Sequence, residues 1–447
     1  MIPRALIFDK LAPWLLLLGN LLVVFGSELA HDEAYYWLFS QNLDWGYFDH
    51  PPMTAWLIAL TSWLGGEVGV RLAFVLVMQL SAWLFVSSLP HEEKRFGWLG
   101  LNIFPLLAFA GALAIPDGPL VFFSALWLWH LRRALADDNV ANAIISGVLT
   151  AMLLYSKYHG VLFIVGTIIA LPRLLLRPTF WVSAGVALVL FLPHVYWQWS
   201  HGFATFRYHF VDRPGVALGW RQPLEFFVLQ LILPGLFLAP LAWKHLLKTK
   251  ATSDELRVFK VITLFVILFF FVSTFTKRLE ANWTVAAGLP FILFLAGTSF
   301  YQQHKQWVDR LGMLSLGLVV AARLMIVAPA DWYGVKRLSE VHGWKSWAHS
   351  IAQQTPGCSL AANTYQVASK LSFYLQRQVP ALNVKSRLNQ FEFWDWEKAW
   401  DPDREVCWIT SGRYPGAIDV TGPDGKKLVL VKGKKLSDIL SLKTREL

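Results

Sequence analysis

Eleven apolar runs constrain the fold of this chain more than any other feature of its sequence. They occupy residues 11–29, 68–88, 97–115, 119–131, 141–155, 160–176, 180–199, 223–243, 258–275, 284–300 and 311–328. A helix that crosses a bilayer needs roughly 20 apolar residues, and several of these runs are shorter. Only 16% of all residues are charged, against about a quarter in soluble proteins. The sequence therefore predicts a polytopic α-helical membrane protein with about eleven transmembrane helices, plus or minus one.

The basic residues between these runs predict the orientation of the chain. With the N-terminus inside, the inner loops hold fourteen of them: Arg4, Lys10, Lys94, Arg95, Arg132, Arg133, Arg173, Arg177, Lys244, Lys248, Lys250, Arg257, Lys305 and Arg310. The outer loops hold six: Lys157, Arg207, Arg213, Arg221, Lys277 and Arg278. Cytoplasmic loops carry the excess of Lys and Arg in membrane proteins. We therefore expect a cytoplasmic N-terminus and, after an odd number of spans, an extracytoplasmic C-terminal segment.

The net charge of +10 does not indicate a nucleic-acid partner. The basic residues form short clusters between apolar runs instead of the continuous basic face that binds phosphate backbones. The first apolar run lacks a convincing small-residue cleavage site, so we interpret it as a span and not as a signal peptide.

The composition changes near residue 330. Residues 1–329 form the predicted membrane domain, whose first outer loop is 30–67, and residues 330–447 form a predicted small α/β soluble domain. Within the latter, 407–410 and 427–433 alternate as strands do, 368–376 is typical of an amphipathic helix, and 423–425 is a Pro-Asp-Gly turn. An outer location permits a disulfide between Cys358 and Cys407, but two buried thiols remain an equal alternative.

The first outer loop carries the strongest functional signal. Residues 28–55 contain five acids, Glu28, Asp32, Glu33, Asp44 and Asp49, no Lys or Arg, and many aromatic residues. Spanning helices do not tolerate so many carboxylates. We interpret the stretch as an amphipathic loop at the membrane surface with carboxylates directed into a site. An acidic connector with interfacial aromatic residues is the alternative.

Four other outer loops also carry ionisable groups near predicted helix ends. They are the loops around Asp117, around Lys157, at 200–215 with Arg207, and at 276–283 with Arg278 and Glu280. Charges at this depth usually face a bundle interior or a water-filled cavity. A single Lys or Arg can simply extend to the interface. Convergence of acids and bases from five loops on one side favours a site.

The motifs that carry these charges resemble a known family. DEAYYWLFSQNLDWGYFDHPPM, PDGPL, SKYHGVLF and RLEANW are similar to the bacterial glycosyltransferase 39 type of GT-C membrane glycosyltransferases. That type is related to protein O-mannosyltransferases and to the aminoarabinose transferase of lipid A. The resemblance runs from about residue 11 to 300 and includes the segment 386–394.

The resemblance implies a polyprenyl-phosphate sugar donor, a site at the outer face of the inner membrane, and inversion at the anomeric carbon. It implies a catalytic role for Asp32 with Glu33 as its acidic neighbour. It also aligns the acid before two prolines with Asp49, followed by His50, the third acid with Asp117, and a basic position with Lys157. Where His50 stands, the aminoarabinose relatives often carry a Lys, so no phosphate contact is transferred to it.

General chemistry gives these residue types a reason. A carboxylate must take the acceptor proton in a direct displacement at the anomeric carbon, and preorganised cations stabilise the leaving phosphate. Lys157, Arg278 and Arg207 are the candidate cations. The other candidates for substrate binding are Asp49, His50, Asp117 and Glu280. Asp49 and Asp117 can instead hold a divalent metal ion or pair with a nearby cation.

These observations predict a glycosyltransferase that modifies an envelope glycolipid, lipid A or a polysaccharide. Protein O-glycosylation is an alternative acceptor class that no sequence feature excludes. A transporter or flippase of lipid-linked sugars is an alternative from another class. Such a protein would need charged groups at both faces and often carries inverted repeats, whereas here the acids lie on one side.

Overall fold

The computed structural model describes residues 4–208, 211, 219–277, 280–329, 338–394 and 396–444. Its first part is helical throughout. The α-helices are α1 (Arg4–Gly26), α2 (His31–Gln41), α3 (Met53–Thr61), α4 (Gly66–Ser87), α5 (Lys94–Ile103), α6 (Pro105–Phe109), α7 (Asp117–Ala136), α8 (Val140–Ser156), α9 (Val161–Ala170), α10 (Pro178–Ser200), α11 (Ala204–Arg207), α12 (Arg221–Leu231), α13 (Ala239–Lys248), α14 (Asp254–Ser273), α15 (Gly288–Gly297) and α16 (Phe300–Val327). Short 3₁₀ turns connect several of them, including Tyr158–Gly160 and Ala281–Ala287.

Every predicted span coincides with a helix or with a broken pair of helices. The predicted span 97–115 breaks between α5 and α6, because Phe104 precedes Pro105 and adopts an extended backbone, with φ −72° and ψ 106°. The predicted span 223–243 likewise divides into α12 and α13 around Pro234 and Gly235.

The number of membrane crossings stays a prediction. Within the described ranges, four helices, α4, α10, α14 and α16, are long and apolar enough to cross a bilayer. Residues Lys10–Gly26 of α1 together with α2 make a fifth candidate, but this pair is bent by 86°. Since α2 turns away from the direction of α1, we treat α1 as the spanning segment and α2 as lying outside it.

Helix α10 supports a lipid environment. Many of its large apolar side chains are exposed: Trp181, Leu188, Val189, Leu190, Leu192, Val195, Tyr196 and Trp199. So large an apolar surface is rare on soluble monomers, whereas it is the normal surface of a helix in contact with lipid tails. The fold is therefore that of a polytopic helical membrane protein.

The C-terminal part contains a small mixed sheet with helices. Strands β1 (Ser359–Ala362), β2 (Glu405–Thr410), β3 (Ile418–Asp419) and β4 (Val429–Lys435) are ordered β1-β2-β4-β3. The β1 and β2 strands are parallel, and the other pairs are antiparallel. Helices α17 (Trp344–Gln354), α18 (Tyr365–Leu375), α19 (Phe391–Trp394) and α20 (Leu436–Thr444) complete this part. The predicted strands and amphipathic helix are present, while the predicted boundary at 330 falls outside the described residues.

A disulfide joins Cys358, just before β1, to Cys407 in β2, with a Cα–Cα distance of 6.0 Å. The parallel pairing aligns Leu360 with Cys407 and so brings the two cysteines together. Of the two alternatives that the sequence left open, the structure has the bridge.

One hydrophobic cluster connects the membrane part to the sheet. It contains Tyr35 and Phe39 of α2 together with Tyr365 and Phe373 of α18. Most of α2 is thus buried under the C-terminal part. Most aromatic residues of the first outer loop therefore pack in a core instead of forming an interfacial belt, and the position of the loop at the membrane surface stays a prediction.

We predict that the sheet lies on the extracytoplasmic side of the inner membrane. Because both native cysteines are bonded, the introduced cysteine in Ser411→Cys, at an exposed position after β2, should react with an impermeant maleimide on intact spheroplasts. Thr252→Cys, exposed in the loop between α13 and α14, should react only after lysis. The reverse labelling pattern would overturn the orientation.

Candidate active site

The bend between α1 and α2 is held by Arg71 of α4. Its Nε and Nη2 atoms donate to the two carboxylate oxygens of Glu33 at 2.7 and 2.6 Å. Its Nη1 atom also donates to the carbonyl oxygens of Val23, in the last turn of α1, at 3.3 Å and of Ser27 at 2.9 Å. Its Nη2 atom donates to the carbonyl oxygen of Glu28 at 2.8 Å. The last carbonyls of a helix lack intrahelical partners. Arg71 therefore caps the end of α1 and at the same time binds the first turn of α2.

Glu33 has no free oxygen for a substrate. Besides Arg71, its carboxylate accepts hydrogen bonds from the backbone amides of Ala30 and Ala114, each at 2.8 Å, and its side chain is fully buried. Burial alone would raise the pKa of Glu33, but the charge and hydrogen bonds of Arg71 outweigh burial and lower it. The expected direct catalytic role of Glu33 does not fit this geometry, which is that of a positioning residue.

Asp32, the preceding residue, has the opposite environment. Its side chain keeps exposed surface, and its nearest polar contact is the Tyr365 hydroxyl, which donates to Oδ1 at 3.3 Å. The surrounding protein strips water from the carboxylate and raises its pKa to about 6, and the charges of Asp49 and Glu340 add to this rise. Arg387 opposes it. Asp32 is thus an accessible carboxylate whose pKa lies close to neutral pH.

Asp49 lies beside Asp32 in a tight turn before Pro51. Its Oδ1 atom accepts a hydrogen bond from Nη2 of Arg387 at 2.8 Å. Its Oδ2 atom is buried and has no hydrogen-bond partner among the described residues. A buried carboxylate oxygen without a partner is uncommon in native proteins, so this atom is a candidate ligand contact. The neighbouring His50 ring packs edge-on against Tyr36 at 5.6 Å.

Asp117 and Lys157 form a buried ion pair. Asp117 is the first residue of α7, and Lys157 directly follows α8. The Oδ1 atom of Asp117 accepts a hydrogen bond from Nζ of Lys157 at 2.7 Å. Its Oδ2 accepts from the Asn282 amide at 2.7 Å. The sequence left several roles open for Asp117. The geometry agrees with one of them, the pairing with a nearby cation.

The arrangement does not fit a divalent metal ion. Asp49 is neutralised by Arg387 and Asp117 by Lys157. In the part of the chain that the structure describes, no group of three or more His, Cys, Asp or Glu side chains is arranged to hold a metal. The alternative that Asp49 and Asp117 hold a metal ion does not fit these ion pairs.

Several of the predicted residues line one cavity, whose volume is about 330 Å³. Asp49, His50 and Lys157 line it, as does Lys277, and its wall is otherwise mostly apolar and aromatic: Tyr158, His159, Val161, Leu162, Thr205, Phe206, Phe269, Phe270, Ser273 and Trp283. A few charged groups in an otherwise apolar cavity suit a ligand with a polar head and an apolar chain.

The residues lining this cavity do not include Arg207 or Glu280, nor Asp32, Glu33 and Asp117. Arg207 is exposed on α11, directly after Phe206 of the cavity wall. Glu280 is exposed just before the 3₁₀ turn Ala281–Ala287. Arg278 lies outside the described residues. Their expected roles in substrate binding stay predictions.

The C-terminal part supplies two residues that sequence reasoning missed. Arg387 binds Asp49, and its guanidinium lies 4.8 Å from the ring centroid of Tyr365, whose hydroxyl contacts Asp32. The segment 386–394 belongs to the region of family resemblance, so an Arg there was a possible signal. Nothing in its spacing, however, relates it to the first outer loop more than 330 residues earlier.

Comparisons with known proteins agree with this architecture. A family model described as dolichyl-phosphate-mannose-protein mannosyltransferase matches residues 49–197. The crystal structure of ArnT from Cupriavidus metallidurans in the apo state superposes with a TM-score of 0.63 at 16% identity, covering 99% of this chain and 100% of that one. ArnT bound to undecaprenyl phosphate gives 0.64 at 15% identity, with 94% and 97% covered. The chain therefore has the fold of ArnT, and its predicted resemblance to the glycosyltransferase family is confirmed.

The curated relatives narrow the resemblance further. Lipid A galacturonosyltransferase RgtD of Rhizobium johnstonii is 30% identical over 293 residues, which are 60% of this chain and 58% of that protein. Lipopolysaccharide core galacturonosyltransferase RgtB of the same organism is 30% identical over 216 residues, or 45% and 44%. The chain thus spans about half the length of the curated relatives it matches.

We predict that Glu33→Gln destabilises the fold strongly. Removing one partner of a buried ion pair leaves an uncompensated charge, here Arg71, at a cost of about 3–5 kcal/mol. Glu28→Gln is the matched control, because Glu28 accepts only from the amides of Trp344 and Lys345 and has no such pair among the described residues. Thermal unfolding in detergent measures both.

A second variant tests the cause. Adding Arg71→Met to Glu33→Gln removes the orphaned charge and should recover part of the lost stability. If Glu33→Gln were no less stable than Glu28→Gln, the ion pair would not hold the bend.

Proposed function

We propose that this protein is an inverting glycosyltransferase. It moves a sugar from a polyprenyl-phosphate donor to lipid A or a related lipopolysaccharide acceptor at the outer face of the inner membrane. The names of the curated relatives support the acceptor class and favour a galacturonosyl group. The likeness to ArnT bound to undecaprenyl phosphate supports the lipid carrier.

The observation that carries this proposal is the environment of Asp32. A general base works best when its pKa is near the working pH, since it is then ionised and still basic. Asp32 combines exposed surface with a pKa of about 6. Asp44, an acid of the same loop, instead accepts from the Trp197 indole at 2.9 Å.

The reaction follows as a single displacement. The Asp32 carboxylate takes the proton of an acceptor hydroxyl while the hydroxyl oxygen bonds to the anomeric carbon. The bond from that carbon to the phosphate oxygen breaks, and its electron pair leaves with the lipid phosphate. Tyr365, which donates to Oδ1, holds the carboxylate in one orientation.

Lys157 is proposed to stabilise the leaving phosphate. Asp117 accepts from Lys157 and also from Asn282, so the position of the Lys157 ammonium group is fixed. Lys157 and Lys277 both line the cavity. Preorganised cations of this kind stabilise growing negative charge without reorganisation. The apolar residues that line the same cavity, including Phe269 and Phe270, suit the isoprenoid chain. Arg207 and Arg278 remain further candidates for the phosphate, and Glu280 for the sugar.

A transporter is less well supported. Its charged groups should be reachable from both faces, whereas here Asp49 and Lys157 line one cavity. Asp32 interacts with the charge of Asp49, and Asp117 pairs with Lys157. A protein acceptor has the description of the matched family model in its favour, but no contact in the described residues distinguishes a peptide from a glycolipid.

We predict that Asp32→Asn abolishes transfer and leaves the fold intact. The raised pKa means that ionised Asp32 destabilises the folded state: its favourable contribution is present below its unfolded pKa of 3.8 and lost as the pH rises through about 6. The neutral Asn therefore should not lower the unfolding temperature at pH 7. Asp44→Asn, the same change in the same loop, should retain activity. Near-normal turnover by Asp32→Asn would contradict the assignment.

The pH dependence provides a separate test. Only ionised Asp32 accepts a proton, so kcat/KM should fall about tenfold per pH unit below a midpoint near 6. The assay measures sugar transfer by purified protein between pH 4.5 and 8. A midpoint near 4, the ordinary value for Asp, would show that the base lies elsewhere or is freely hydrated.

A further inference from the structure

Arg387 is held in place but only partly used. A guanidinium has five N–H donors. Two are engaged here, one with Asp49 and one with the Tyr208 hydroxyl at 2.7 Å, which leaves three without a partner among the described residues. The guanidinium also lies 5.1 and 4.8 Å from the ring centroids of Tyr208 and Tyr365. These contacts fix its plane, yet its side chain remains 36% exposed.

A hydrogen-bond acceptor without a partner among the described residues lies next to these unpaired N–H donors. Oδ2 of Asp49 is buried and unpartnered in the described part of the chain, while Oδ1 of the same carboxylate binds Arg387. The pair therefore offers N–H donors beside one acceptor. A ligand that matches it has a negatively charged or acceptor oxygen next to a hydroxyl group. A uronic acid has this pattern, because its carboxylate stands beside a ring hydroxyl, and Arg binds carboxylates with a matching fork.

The position of Arg387 argues against the leaving phosphate as its ligand. In a direct displacement, the base and the leaving group lie on opposite sides of the reacting carbon. Arg387 is separated from the proposed base Asp32 by one side chain, Tyr365, so it lies on the side of the base. Its partner Asp49 lines the cavity that Lys157 also lines, so Arg387 contacts a residue of the cavity wall.

We propose that Arg387 is a specificity-determining residue that binds the carboxylate of a uronic acid on the lipid-linked donor, while Asp49 Oδ2 accepts from the adjacent hydroxyl. This inference rests on the proposed glycosyl transfer. It goes beyond the names of the relatives because it assigns sugar selection to one side chain of the C-terminal part.

The test compares two donors that differ only at the carboxylate: undecaprenyl phosphate carrying galacturonic acid and undecaprenyl phosphate carrying galactose. Full-length protein in nanodiscs should prefer the acidic donor in kcat/KM. Arg387→Gln should lower kcat/KM for the acidic donor by roughly 10- to 100-fold, the size of one charge-assisted interaction, and for galactose by less than about threefold. Arg387→Lys should restore part of the preference.

A second variant separates recognition from support of the turn. Asp49→Asn keeps Arg387 but removes the charged acceptor of the sugar hydroxyl, which both donors carry. It should therefore weaken the binding of both donors while retaining the preference for the acidic one. Equal losses for both donors in Arg387→Gln would overturn the proposal, because Arg387 would then only support Asp49. A change confined to acceptor KM would also overturn it, as would weaker binding of undecaprenyl phosphate itself.

Donor binding distinguishes this inference from the function on which it rests. Equilibrium binding of the two donors to Asp32→Asn protein needs no turnover. Tighter binding of the acidic donor, lost on adding Arg387→Gln, supports the inference even if transfer fails. Equal binding of both donors overturns it, even if wild-type protein transfers galactose efficiently and the proposed function stands.

Discussion

The buried ion pair between Arg71 and Glu33 is the contact on which the geometry of the site depends. Where α1 ends and α2 begins, the backbone leaves one helix and enters another through an 86° bend, so carbonyls and amides need partners away from water. Arg71 satisfies the carbonyls of Ser27 and Glu28, and Glu33 satisfies the amide of Ala30. Asp32 and Glu33 are neighbours in the first turn of α2. The contacts of Glu33 therefore also fix the backbone from which the Asp32 side chain projects.

The C-terminal part completes this arrangement from the other side. Lys370 of α18 donates to the carbonyl oxygens of Leu29 and Glu340. Glu340 in turn accepts from the amide of His31, the first residue of α2, at 3.0 Å. Desolvation lowers the pKa of Lys370 to about 8, and nearby acids oppose this effect. Helix α2, which carries Asp32, is thus held between α4 and α18, and the proposed site belongs to both parts of the protein.

The sequence predicted the helices, the strands and the convergence of charged loops, because these follow from hydropathy, strand alternation and the placement of acids near helix ends. It predicted Asp32, Asp49 and Lys157 as site residues from a family resemblance, and these roles stay predictions. It did not separate the roles of Asp32 and Glu33, because neighbours in one helix turn differ here only through the contacts of Arg71 with Glu33 and of Tyr365 with Asp32. Nor did it identify Arg387, whose partner Asp49 is distant in sequence.

The central claim is that a single carboxylate, Asp32, drives one displacement at the anomeric carbon. The most direct measurement is the anomeric configuration of the product, determined from NMR coupling constants after transfer by purified protein from a donor of known configuration. A single displacement predicts a product with the configuration opposite to that of the donor. Retention of the donor configuration would require a second, nucleophilic carboxylate and would contradict the account.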